Sequence, residues 1–135
     1  MIRYLIDTNI ASYFLKRSYP ALHERMKAAM VAGEVAISAI TRGELRYGQA
    51  LMQAGDRRTA LIDAFLEEIP ILDWTAGAAD HFGRLAALQK RSVAPIGTLD
   101  TQIAAHALAE NLLLVTHNIH HFERIPELRI ETWVS

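Results

Sequence analysis

Three carboxylates, Asp7, Glu44 and Asp100, occupy positions where chemistry is a serious alternative to solvated surface charge. Asp7 directly follows the β-prone run Arg3-Tyr4-Leu5-Ile6. In an open α/β sheet, ligands gather outside that end of a strand; the competing reading is a helix N-cap for the segment after it. Glu44 falls in step with Ile40, Tyr47, Leu51 and Ala54, which are spaced to share one helix face. A carboxylate within such an apolar stripe needs a cation or donors, although Thr41-Arg42-Gly43-Glu44 also fits a capping box. Asp100 heads a stripe formed by Ile103, Ala104 and Ala107. Its ordinary alternative is a first-turn acid facing the helix dipole after a Thr98 cap.

Each acid alone has a capping explanation, and the conjunction is what points to a site. Convergent carboxylates repel one another unless a cation joins them, and hard oxygen donors select Mg²⁺ or Mn²⁺. The chain has no cysteine, which excludes disulfides and zinc-thiolate centres. A divalent ion in such a cluster lowers the pKa of bound water and stabilises charge on a phosphoryl group. A metal-dependent nuclease is the chemistry these residue types suggest.

The elements that must position these acids alternate along the chain. Short strands are expected at Arg3 to Ile6, Val35 to Ile37 and Leu112 to Val115, with a last strand from Leu128 to Val134. Ile69-Pro70-Ile71-Leu72 reads as an edge-like strand because of its proline. Helices are expected over Ile10 to Lys16, Pro20 to Met30, Ser38 to Ala54, Arg58 to Glu68 and Thr75 to Lys90. A further helix, capped by Thr98, runs to about Glu110, and Thr116 to Phe122 reads as a loop. Alternation of this kind implies one α/β/α domain over residues 1–135, with a mostly parallel sheet and helices on both faces.

Bulk properties agree. The 135 residues are 51% hydrophobic and 21% charged, the balance of a globular chain. No apolar stretch approaches the ~20 residues that span a bilayer, and no leader pattern opens the chain; a cytoplasmic protein without a membrane partner is expected. The net charge of −1 argues against a protein that coats nucleic acid by bulk electrostatics. It leaves room for an acidic pocket with basic residues at the rim.

Four segments, in order, resemble the PIN domain and more narrowly the VapC toxins of bacterial toxin–antitoxin pairs. They are Tyr4-Leu5-Ile6-Asp7-Thr8-Asn9, Ile37-Ser38-Ala39-Ile40-Thr41-Arg42-Gly43-Glu44-Leu45-Arg46-Tyr47-Gly48, Asp100-Thr101-Gln102-Ile103-Ala104-Ala105-His106-Ala107, and Leu114-Val115-Thr116-His117-Asn118 followed by His121-Phe122. The resemblance implies an Mg²⁺- or Mn²⁺-dependent endoribonuclease with Asp7, Glu44 and Asp100 as metal-binding acids. A fourth family position, often Asp, matches Asn118, which brings a carbonyl oxygen without charge and leaves one well-occupied ion as the expectation. Thr8, Asn9, Ser38 and Thr116 match smaller polar positions that orient carboxylates or water; for Thr8 and Ser38, helix capping is an equal reading. The resemblance further implies a VapB-type antitoxin, a toxin homodimer, inhibition of translation, and an RNA substrate. Glu44-Leu45-Arg46-Tyr47-Gly48 suits the subgroup that cuts the anticodon stem-loop of initiator tRNA.

Arg42 and Arg46 flank Glu44 and could hold RNA phosphates, although solvated surface charge is the commoner outcome. His117 could contact phosphate or protonate a leaving oxygen, whereas His120 and His121 lack metal-ligand spacing and read as loop residues. His106 is expected to pack at a helix surface. A haloacid-dehalogenase-type phosphotransferase would want a second Asp where Asn9 stands, and a receiver domain lacks its acid pair and late Lys. The alternative from another class is a non-catalytic module that uses a PIN-like surface to grip a partner protein.

Overall fold

A computed structural model of the chain describes residues 1–134. The elements are β1 (Tyr4–Ile6), α1 (Thr8–Lys16), α2 (Pro20–Val31), β2 (Val35–Ser38), α3 (Ala39–Ala50), α4 (Arg57–Glu68), β3 (Ile71–Leu72), α5 (Ala76–Lys90), α6 (Thr98–Ala109), β4 (Leu113–Val115), α7 (Ile119–Phe122) and β5 (Ile130–Glu131). The five strands form one sheet in the order β3-β2-β1-β4-β5, and every neighbouring pair is parallel.

Parallel strands covered on both faces read as continuous apolar runs, and β1 and β2 are buried at every position. The period of two then sorts their side chains between two cores. Tyr4, Ile6, Val35 and Ile37 join the core under α1, α2 and α4, with Leu22, Met26, Ile62 and Phe65. Leu5 and Leu114 join the opposite core under α5 and α6, with Leu85, Ile103 and Phe122. The helices therefore lie on both faces of the sheet. Among the described residues no helix is long and apolar enough to cross a membrane.

The strand order reverses between β1 and β4. The chain moves outward from β1 through β2 to β3, then returns to the other side of β1 with β4. Such a switch point opens a crevice beyond the carboxyl ends of the two strands. Asp7 stands there, its N–H donating to the Val115 carbonyl at 3.1 Å.

Several boundaries differ from the sequence expectation. The helix after β2 ends at Ala50 rather than Ala54. The segment after β4 holds the short helix α7 instead of a plain loop. The last strand is confined to Ile130–Glu131. β3 does lie at the sheet edge, where the absent N–H of Pro70 removes nothing, and the Pro70 carbonyl still accepts from Ile37 N–H at 3.0 Å. The cap of α6 is Gly97 at φ 95°, not Thr98, which is already helical. That left-handed turn is open to glycine at little cost, and the Gly97 carbonyl accepts from the Thr101 hydroxyl at 2.6 Å.

Candidate active site

Asp7 is both a helix cap and a candidate site residue. Its carboxylate accepts from the Ile10 N–H at 2.8 Å, which starts α1, and the side chain is only 4% exposed. Burial pushes its pKa up to about 6. The Thr116 hydroxyl and the Ile10 N–H pull it back down, while the nearby charges of Asp100 and Glu44 push it further up. Asp100 and Glu44 are thus both brought within electrostatic reach of Asp7.

Glu44 is held by a relay. The Thr8 hydroxyl donates to Glu44 Oε1 at 2.6 Å and lies 3.0 Å from the Thr41 hydroxyl, which is free to donate to it in turn. Thr41 is fully buried and already inside the first turn of α3, so it does not begin a capping box. Ser38 caps α3 instead, accepting from the Ile40 N–H at 3.0 Å. The apolar stripe expected around Glu44 is also reassigned. Thr41 and Leu45 turn to the core, whereas Tyr47 and Leu51 are each 69% exposed. With Ile40, Glu44, Met52 and Leu61 they line an open groove of about 1430 Å³ that reaches Thr8 at the site.

Asp100 lies in the first turn of α6, as the spacing indicated, and is half exposed. His121 Nδ1 stands 3.4 Å from its Oδ2, a contact that the loop reading of His121 did not anticipate. Thr116 is fully buried, and its Oγ1 also accepts from the Asn118 N–H at 3.0 Å. Asn118 is the residue before α7, with its side chain making no cap bond. Asn9 is exposed on α1.

The two arginines part company. Arg46, expected to face RNA, commits its guanidinium to Asp63 at 2.6 Å and to Gln49 at 2.8 Å. Arg42 is half-buried beside Glu44 in α3. His106 is the largest departure. Expected at a helix surface, it is fully buried, with Nδ1 2.8 Å from Ser38 Oγ and its ring edge-on to Trp74. Burial lowers its pKa, against the Glu110 charge and the Asp73 backbone. Nε2 nonetheless completes no hydrogen bond among the described residues. The stripe of buried Ile103, Ala104 and Ala107 continues through position 106. A helix buried nearly all round was the signal that could have located it.

Comparison with known proteins decides the family. A PIN-domain profile matches residues 4–128. The chain belongs to the PIN-domain family. Within it, the VapC proteins are its relatives over their whole length. It is 37% identical to the tRNA(fMet)-specific endonuclease VapC of Shigella flexneri, covering 98% of this chain and 99% of that protein. It is 40% identical to ribonuclease VapC2 of Haemophilus influenzae, covering 99% and 100%. Among solved structures, DNA-bound VapBC from Salmonella typhimurium superposes with a TM-score of 0.89 at 35% identity, covering 98% of this chain and 99% of that one. VapBC2 from Rickettsia felis, bound to a promoter DNA fragment, gives 0.87 at 34% identity and the same coverage. The VapC-type PIN fold expected from the motifs is the fold of this chain.

Proposed function

We propose that this PIN-domain protein is a divalent-metal-dependent endoribonuclease and the toxin of a toxin–antitoxin pair. The observation that carries the reading is the buried Asp7 carboxylate at the β1/β4 crevice, its charge opposed by Asp100 and Glu44. Such a set fits a cation better than it fits an empty pocket, because a cation offsets both the burial and the mutual repulsion. Among the described residues no three His, Asp or Glu side chains close into a ready-made cage. Mg²⁺ or Mn²⁺ held by one or two carboxylates completes its shell with water. Asp7 and Asp100 would hold the ion, and Glu44 would ligate it or orient its water. When bound, the ion supplies an activated water and neutralises charge on the scissile phosphate.

The chain's own groups do the rest. Thr8 holds one oxygen of Glu44, leaving the other free to orient water, and the Thr116 hydroxyl offsets part of the penalty that burial puts on the ionised Asp7. Asn118, whose N–H donates to the Thr116 hydroxyl, would offer a neutral carbonyl oxygen as a further ligand. The substrate is RNA; the name of the Shigella flexneri relative makes initiator tRNA the first to test, with inhibition of translation as the consequence. The apolar groove beside Glu44 is a surface for a VapB-type antitoxin, in keeping with the VapBC complexes, and the toxin acts in the cytoplasm as a homodimer.

The test is cleavage of tRNA by the purified protein with Mg²⁺, with EDTA, and after Asp100→Asn. Cleavage that needs the ion and is lost in the folded variant supports the reading. Equal cleavage by Asp100→Asn would remove Asp100 from the site. No cleavage with any divalent ion would favour a non-catalytic binding module.

A further inference from the structure

Three rings meet at the same sheet edge as the acids, and the chemistry above leaves them unused. Tyr13 of α1, Tyr19 ahead of α2 and His117 after β4 form a cluster. Tyr13 and Tyr19 lie edge to face at 5.2 Å between ring centres. His117 stands 6.1 Å from each, at 78° to Tyr13 and 47° to Tyr19. The tyrosines are half-buried against the core, whereas His117 is exposed. His117 also sits directly between Thr116, which meets Asp7, and Asn118. An exposed ring therefore lies against two half-buried rings, one residue along the chain from Thr116.

We infer that this cluster is a stacking site for one unpaired nucleobase of the RNA, next to the bond that is cut. The inference rests on the ribonuclease reading and deepens it. Three features favour a base over a phosphate as the occupant. Every nucleobase has a π-face that stacks on aromatic rings without sequence discrimination. The tyrosine rings beneath His117 bring no positive charge for a phosphate. The chain is also poor in electrostatic grip, with a net charge of −1 and with Arg46 already paired to Asp63. Stacking supplies affinity that does not depend on charge, and it requires a base displayed outside a duplex, as in a loop.

The experiment uses the full chain with Mg²⁺ and a short RNA carrying one mapped cleavage site, made intact and with single abasic positions flanking that site. Wild-type cleavage of the intact RNA is the first measurement; its absence would overturn the ribonuclease reading and this proposal together. Given cleavage, one abasic position should raise KM roughly tenfold, as expected for loss of one stacked base. His117→Ala, an exposed change that leaves the core intact, should raise KM by a similar factor on intact RNA. It should add nothing on the RNA abasic at that position. His117→Phe should restore wild-type behaviour, which neither a phosphate contact nor a proton-transfer role permits. His117→Ala with unchanged KM, or a defect that Phe does not rescue, would overturn the stacking site while leaving the ribonuclease reading standing.

Discussion

Helices α3 and α6 each carry one acid to the same edge of the sheet, and they are anchored by opposite means. α6 buries Thr101 and every residue from Ile103 to Ala107, wedged between α5 and the sheet. α3 buries only Thr41 and Leu45, and its other side lines the open groove with Tyr47 and Leu51. Asp100 thus inherits its place from close packing, which transmits strain and resists displacement. Glu44 takes its place from a single 2.6 Å hydrogen bond with Thr8. One arm of the candidate site is rigid by burial. The other is held by polar contacts on a helix that a partner can cover.

The largest effect should come from the rigid arm's own acid. Asp100→Asn is expected to lower kcat for RNA cleavage by roughly 10²-fold or more, the order found when a charge-stabilising group is removed, with an unchanged circular dichroism spectrum. A packing change on the same helix should act on stability instead. Ile103→Ala, at a position 1% exposed, is expected to cost about 2–5 kcal/mol in denaturant unfolding. An equal cost from truncating exposed Leu51 would erase the contrast between the helices.

Asp7, between the two arms, ties the site to pH. Its folded pKa of about 6 lies about two above the ordinary 3.8 of a solvent-exposed aspartate. The protonated form therefore favours the fold. That contribution is fully present below about pH 3.8 and is lost as pH rises through about 6. At about 1.36 kcal/mol per unit it amounts to roughly 3 kcal/mol at most. Metal-free Asp7→Asn should be more stable than the parent at pH 8 and should lose this difference at pH 4. Identical pH–stability curves for the two proteins would mean that Asp7 is not destabilised by burial.

On the open arm the effects should be smaller. Thr8→Val frees the Glu44 carboxylate and is expected to lower kcat roughly tenfold, the scale of a group that orients a ligand, with little change in melting temperature. Leu51→Ala should alter stability by no more than about 0.5 kcal/mol. It should, however, weaken binding of a VapB-type antitoxin, measured by titration calorimetry. If Leu51→Ala left that affinity untouched, the groove would not be the antitoxin surface.

Much of this arrangement was legible in residue order. The runs Tyr4–Ile6 and Leu113–Val115 are apolar at successive positions because both faces of a parallel strand are covered, so their character announced itself. Asp7, Glu44 and Asp100 could be singled out because acids beside apolar stripes need a reason. The misreadings share one cause. The stripe through Glu44, Tyr47 and Leu51 has helical period, and periodicity names a face without saying what covers it. His106 went the other way, since a lone histidine in a buried helix looks like a surface residue until Ser38, 68 positions away, is seen to meet it.

By itself, then, the sequence determined most of the element types, the parallel α/β class and which acids stand out as candidates, because these follow from local periodicity and from residue chemistry. Tertiary structure decided which helix face meets the core, that Arg46 answers Asp63, and that Thr8 reaches Glu44 across 36 positions. It also decided that Tyr13, Tyr19 and His117 come together beside the acids. Such contacts join segments far apart in the chain, and only the strand order that brings β4 back beside β1 makes them neighbours.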